Sequence, residues 1–233
     1  MPASDTPQLW FQPPGVHPDD RIAWWVKLAV MGGLTVGALL WLDGPVIRWV
    51  EANQPMASLS GDVAREIKML EQFGQYTCTV LILAAVALVD KDGRRKVLAI
   101  ALGCVASVLM CYALKFGLGR SRPDTLGGGN WEFHFLAWGL GSKYQSMPSA
   151  HTMGAFALAA GLTWFYPRAR ALFYGLALVT AGLRVLNKAH FPSDALLGMT
   201  LAIATVRMTL WANPAGRLLA RLPAEAQRWW ARA

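Results

Sequence analysis

Apolar residues gather into six runs divided by short charged or proline-rich stretches: approximately Trp24 to Leu42, Phe73 to Val89, Val97 to Leu118, Ala150 to Tyr166, Ala171 to Leu186 and Ala195 to Trp211. A helix crossing roughly 30 Å of hydrocarbon needs about 20 mostly apolar residues, and fewer when flanking side chains snorkel. The pattern therefore predicts an all-α integral membrane bundle of six helices. The second and fifth runs are short, and taken alone each also reads as a buried amphipathic helix. Within the first long connection, Asp43 to Gln72, Val63, Ile67 and Leu70 recur at helical spacing among Asp62, Arg65, Glu66, Lys68 and Glu71. That spacing predicts an amphipathic helix, either lying on the bilayer surface or capping the bundle. Leu218, Leu219, Leu222, Trp229 and Trp230 alternate with arginines in the tail, the pattern of an interfacial anchor.

Composition supports the membrane reading and removes other classes. The 233 residues are 55% hydrophobic and only 15% charged, with a mean hydropathy of +0.33. The net charge of +8 comes mainly from Lys and Arg between apolar runs. Without basic clusters or aromatic-basic interleaving, no nucleic-acid partner is expected. Cys78, Cys104 and Cys111 fall inside apolar runs and read as small buried hydrophobes rather than a disulfide framework. The opening stretch, with Asp5, Asp19, Asp20 and several prolines, has no basic region leading into an apolar core, so no removable signal peptide is expected. No internal repeat or linker divides the chain. Residues 1–233 are expected to form one membrane-embedded domain, with 1–22 as a cytoplasmic segment and 212–233 as an interfacial tail.

Basic residues then orient the bundle. Lys91, Arg94, Arg95 and Lys96 place one turn on the cytoplasmic side. Six alternating spans put Arg168, Arg170, the basic tail and both termini there as well. Three charged patterns consequently open on the opposite face: Lys115-x6-Arg122-Pro123, Pro148-Ser149-Ala150-His151, and Arg184-x5-His190-x3-Asp194.

Each pattern has an unremarkable reading when taken alone. Lys115 sits near the end of an apolar helix, where a charge costs about 3 kcal/mol unless it reaches water or a partner, and snorkelling accounts for one such lysine. Arg122 presents a planar fork suited to two phosphate oxygens, while Arg120 on the same stretch reads as a solvated or headgroup-facing charge. Ser149 stands where a helix begins and reads as an N-cap. A helix start also offers unpaired N–H groups to an anion, Ala150 included. His151 can deliver a proton near neutral pH. Asp194, four residues beyond His190, can accept its Nδ1–H and leave Nε2 as a nucleophile, or serve only as a helix-start charge. Their occurrence together, in this order and on one face, points to phosphate chemistry.

The three patterns resemble the signature motifs of the membrane branch of the type 2 phosphatidic acid phosphatase superfamily, from about Lys115 to Asp194. The resemblance implies phosphate contacts from Lys115, Arg122, Ser149, Ala150 and Arg184, a general acid in His151, and a nucleophile in His190 oriented by Asp194. Two positions depart from the family pattern: Ala150 replaces a usual glycine, and Leu183 a usual serine. An alanine still donates its N–H where φ is negative.

The implied activity is hydrolysis of a lipid phosphomonoester or diphosphate through a phosphohistidine, without a cofactor. No carboxylate cluster or His/Cys spacing suggests a metal. Undecaprenyl diphosphate, phosphatidylglycerol phosphate, phosphatidic acid and a lipid A phosphate all fit as substrates. A lipid phosphotransferase and a non-catalytic lipid-phosphate binding or transport protein are the alternatives. The expected location is a bacterial inner membrane with the site facing the periplasm. The sequence does not set the oligomeric state. The connection Asp124 to Met147, with Gly127, Gly128, Gly129, Trp131, Phe133, Phe135 and Trp138, reads as a lid or as a packed cap, with His134 structural.

Overall fold

A computed structural model describes residues 18–57, 59, 61–136, 140–212, 214–223 and 230. Their regular structure is helical, apart from one isolated bridge between Arg120 and Phe133. The N-terminal segment up to residue 17, Trp138 and most of the tail beyond residue 223 lie outside the described residues.

The first helix runs unbroken from α1 (Pro18–Gly37) through a π turn (Ala38–Leu42) into α2 (Asp43–Asn53). This corrects the sequence expectation that Asp43 opens a loop. The helix continues because Ile47 and Val50 keep an apolar face turned inward beyond the charge. The π turn adds a residue just before Asp43, a device that re-aims the following side chain. Next come α3 (Gly61–Leu70) and a 3₁₀ turn (Glu71–Gly74), followed by α4 (Tyr76–Val89), bent 70° from α3. The bundle continues with α5 (Gly93–Leu118), the short α6 (Pro123–Leu126), α7 (Ala150–Phe165), α8 (Arg170–Leu186), α9 (Pro192–Ala212) and α10 (Pro214–Ala220).

α7 is the centre. It packs against α5, α8 and α9, and Ala155, Phe156, Leu158 and Ala159 are fully enclosed. Its small residues permit this approach: a Cβ on Gly161 would stand 2.7 Å from Ile100 Cγ2. Lipid tails offer apolar surface as readily as another helix does, so close packing of small residues is what holds such helices together. Outward positions are apolar as well, among them Trp25, Leu34, Leu88, Val89 and Leu109, which makes the helices hydrophobic all round. Cys111 is buried, while Cys78 and Cys104 are only partly so.

Four helical stretches are long and apolar enough to cross a membrane: Ala23–Asn53, Gly93–Leu118, Pro167–Leu186 and Pro192–Leu219. The bent pair α3 and α4 makes a fifth if it counts as one span. All six sequence runs are helical, but length separates them differently than expected. The fifth run is long enough because the turn Pro167–Ala169 extends α8, whereas α7 has only 16 residues, between the Pro148 loop and Tyr166-Pro167. α4, the second run, has 14.

Chain direction sorts the charges into two groups. The C-terminal ends of α5 and α8 and the N-terminal ends of α4, α7 and α9 share one end of the bundle. At the other end, Asp90 bonds Lys96 at 2.7 Å and accepts from the Tyr166 hydroxyl at 2.8 Å, joining the α4–α5 turn to the end of α7.

Candidate active site

α5 ends where Gly119 takes a left-handed conformation and its N–H returns to the Lys115 carbonyl. Lys115 is only 3% exposed, and its ammonium donates to the Gln145 carbonyl. The lysine is thus held inside the structure and does not snorkel. The chain leaving Gly119 brings Arg120 and Arg122 across the same end of the bundle.

Arg120 overturns its sequence reading. It is fully enclosed, with Nη2 2.6 Å from Asp43 Oδ2 and Nη1 2.6 Å from Asp194 Oδ1 and 2.7 Å from Ser193 Oγ. Phe191 lies 4.2 Å from its guanidinium carbon, with Trp131 at 5.1 Å and Phe133 at 5.7 Å. A buried cation needs paired charges and satisfied donors, and two carboxylates supply them. Asp43 also accepts from Ser193 through its N–H at 2.9 Å and its hydroxyl at 2.5 Å.

The second carboxylate is the one the sequence pairs with histidine. Asp194 Oδ2 accepts from Ser146 Oγ at 2.5 Å and from the Phe191 N–H at 2.9 Å, and it lies 3.5 Å from His190 Nδ1. His190 sits on the turn between α8 and α9 and is fully enclosed. Burial pushes its imidazole down to about 3, with Lys115 and Arg122 adding to the push and Asp194 opposing it. The ring is therefore neutral near pH 7.

The remaining cations converge around the second histidine. Lys115, Arg122 and Arg184 are within electrostatic reach of His151. Arg122 Nε donates to the Ser142 carbonyl at 2.9 Å and Nη1 to that of Ala189 at 3.4 Å. Arg184 has Glu71 at 3.8 Å, while its buried Nε has no protein partner. His151 Nε2 stands 2.7 Å from the Gln75 side-chain amide. Ser149 precedes α7 but makes no side-chain cap, and instead its hydroxyl accepts from Thr152 at 3.1 Å. Its N–H is held by the Asp194 carbonyl at 3.1 Å, tying the second pattern to the third. Ala150 is the first residue of α7 and keeps a negative φ.

The structure thus brings Lys115, Arg122, Ser149, Ala150, His151, Arg184, His190 and Asp194 to one end of the bundle. The 131–135 stretch forms a packed cap: Trp131 and Phe133 rest on Arg120, and the N–H groups of Ser121, His134 and Leu136 bond across to the carbonyls of Glu132, Gly119 and Gly117. His134 contacts Glu132 at 2.8 Å and packs edge-on against Tyr144. Asp43, Ser146, Ser193, Glu71 and Gln75 went unrecognised in the sequence. A lone acid at the end of an apolar run was the available signal for Asp43, since such a charge in a span needs a partner.

The PAP2 superfamily model matches residues 96–217, just over half of the chain. The chain belongs to the PAP2 superfamily. It is 37% identical over 97 residues to a protein named lipid A 1-phosphatase from Rhizobium johnstonii, covering 41% of this chain and 38% of that one. A protein of the same name from Rhizobium etli is 36% identical over 105 residues, covering 41% and 40%. The matches thus span about two fifths of these relatives' length. Among solved structures, the transmembrane PAP2-type phosphatidylglycerolphosphate phosphatase of Bacillus subtilis superposes with a TM-score of 0.54 at 18% identity, over 82% of this chain and 94% of that one. That likeness concerns the fold, an integral membrane helical bundle.

Proposed function

We propose that this chain is a membrane lipid phosphatase that cleaves a lipid phosphate through a phosphohistidine intermediate. One observation carries the reading: the charges of Lys115, Arg122 and Arg184 all act on His151, and two of them also bear on His190, whose Nδ1 lies 3.5 Å from Asp194. His190 Nε2 attacks phosphorus as the bond from phosphorus to the lipid oxygen breaks, and His151 gives that oxygen a proton. Water then attacks the phosphohistidine and passes its proton to His151, and the P–N bond breaks to release inorganic phosphate. Negative charge on the three equatorial oxygens is met by Lys115, Arg122, Arg184, the Ser149 hydroxyl and the Ala150 N–H. Asp194 keeps the His190 proton on Nδ1, and Arg120 keeps Asp194 ionised.

In this reading the chain spans the membrane six times, with α4 and α7 as short spans and both termini cytoplasmic. The basic turns around Lys91 to Lys96 and Arg168 to Arg170 lie at the end opposite the site, which supports a non-cytoplasmic, periplasmic active site in a bacterial inner membrane. α3 lies along the interface, with Val63, Met69 and Leu70 exposed among charges, and the tail anchors the other face. A site at the mouth of the bundle meets phosphorylated headgroups whose tails stay in the bilayer. The names of the matched relatives favour a phosphomonoester on a lipid A or glycerophospholipid scaffold, with phosphatidic acid and undecaprenyl diphosphate in the same chemical class.

The test is phosphate release by detergent-purified protein from a panel of lipid phosphates in chelator, beside His190→Ala. Equal release by both proteins rejects the mechanism. Transfer of label to a second lipid without free phosphate identifies a phosphotransferase instead.

A further inference from the structure

The bend between α3 and α4 makes contacts that neither a surface anchor nor a simple cap requires. Its 3₁₀ turn crosses α7 at backbone distance. A Cβ on Gly74 would lie 2.4 Å from the His151 carbonyl oxygen and 2.9 Å from Thr180 Cγ2, and a Cβ on Gly154 would lie 2.9 Å from the Gly74 carbonyl oxygen. Only glycine allows this approach, which clamps the turn to the first turns of α7. The Thr180 hydroxyl donates to the Leu70 carbonyl at 3.2 Å, fixing the bend to α8 as well. Glu71 completes the attachment, accepting from Asn187 Nδ2 at 2.5 Å and facing Arg184 at 3.8 Å.

From this clamp, Gln75 reaches His151 with a side-chain separation of 2.7 Å to Nε2. An imidazole at a helix start otherwise has two broad ring orientations. A ring that exchanges its proton at Nδ1 keeps Nε2–H in both its neutral and its protonated form, and an amide turned with Oε1 toward the ring accepts from it in both. We propose that Gln75 is the positioning residue for His151, holding Nε2 so that the proton exchanged with the departing lipid oxygen, and later with water, is carried on Nδ1. This rests on the phosphatase reading above. Gln75 touches no reacting atom, and its effect passes through the ring of His151. A glutamine accepts from Nε2–H throughout without carrying a charge. It therefore leaves the cationic surroundings of His151, made of Lys115 on α5, Arg122 on the loop before α6 and Arg184 on α8, to the phosphate.

Proton delivery matters most when the leaving oxygen is strongly basic. An alkyl phosphate releases an alkoxide unless it is protonated, whereas a nitrophenyl phosphate releases a stable phenolate. The experiment compares kcat for a short-chain alkyl lipid phosphate and for p-nitrophenyl phosphate in the purified full chain and in Gln75→Leu, with Tm recorded for both proteins. General acid catalysis is worth about 10²–10⁴-fold when complete. Loss of its positioning is expected to lower the ratio of alkyl to aryl turnover about tenfold or more. Equal losses on the two substrates, or no loss, overturn the proposal. Gln75→Glu provides a second variant should Gln75→Leu fail to fold. A carboxylate against the ring favours the imidazolium, so the basic limb of its kcat profile is expected to move up by about one pH unit. An unmoved limb also overturns the proposal. Wild-type protein inert on both substrates rejects the phosphatase reading itself, and this inference with it.

Discussion

Arg120 Nη1 stands 2.6 Å from Asp194 Oδ1, with neither side chain exposed to solvent. The aspartate that faces His190 is therefore also the counter-ion of a buried arginine, and that arginine is held from its other side by Asp43. The first described helix thereby helps to fix the N-terminal end of α9, 150 residues later in sequence.

Replacing Arg120 by methionine keeps an unbranched apolar stem but removes the guanidinium, and leaves two buried carboxylates without a counter-charge. Breaking a buried ion pair from one side costs about 3–5 kcal/mol, so Arg120→Met should unfold in detergent well below the wild-type Tm. Adding Asp43→Asn should recover part of that loss by removing one of the stranded charges. Thermal unfolding of the single and double variants checks this. Full stability in Arg120→Met would show that the pair has no structural role.

A second expectation concerns acid. Burial holds the His190 imidazole at about 3 in the folded chain, against about 6.5 for an unperturbed histidine. Between these values the unfolded chain binds a proton that the folded one refuses, so stability falls as pH drops below about 6.5. The loss stops only when the folded site titrates. Tm measured from pH 7.5 to 4.5 should decline in the wild type, and His190→Asn should decline less steeply. Parallel curves would mean that His190 is not held neutral.

The eight chemically suggestive residues of the three patterns were legible because the patterns are local and each sits at the end of an apolar run. The partners that fix them were not. Asp43 bonds residues 77 and 150 positions away, and hydrophobic periodicity carries no information about such pairings. Arg120 was misread for the same reason, since nothing next to it in sequence neutralises it. Gln75 was hidden inside what reads as the start of an apolar span. Span lengths were legible only in part: α7 is short between its flanking prolines, but other helices enclose it, and no count of apolar residues distinguishes neighbouring helix from lipid.

Two glycines that flank α4, Gly74 before it and Gly93 at the start of α5, give a paired test of where the bend matters. A Cβ on Gly93 would lie 2.1 Å from the Val86 carbonyl oxygen, tighter still than the 2.4 Å contact at Gly74, but at the end of the bundle away from the site. Overpacking of this kind costs about 1–3 kcal/mol, so both alanine variants should lose stability. Gly74→Ala should in addition depress kcat by pushing the bend off His151. Gly93→Ala should lower Tm while the folded fraction turns over as the wild type does. Active-site titration with a phosphohistidine label, followed by kcat per labelled site, separates the two effects.

Arg122 tests whether the cation cluster binds an anion or merely braces loops. Its Nε and Nη1 hold the carbonyls of Ser142 and Ala189, the latter adjacent to His190, while its charge bears on both histidines. A lysine keeps the charge but has no fork with which to hold two carbonyls and a phosphate together. A hydrogen bond to a charged group is worth about 1.5–3 kcal/mol, so Arg122→Lys should lower kcat/KM for a lipid phosphate about 10- to 100-fold. Vanadate, which presents a similar set of oxygens, should lose inhibitory potency in the same proportion if Arg122 contacts the anion. If kcat/KM falls and the vanadate inhibition constant does not, Arg122 acts by supporting the Ala189–His190 turn and the phosphate is held by Lys115 and Arg184.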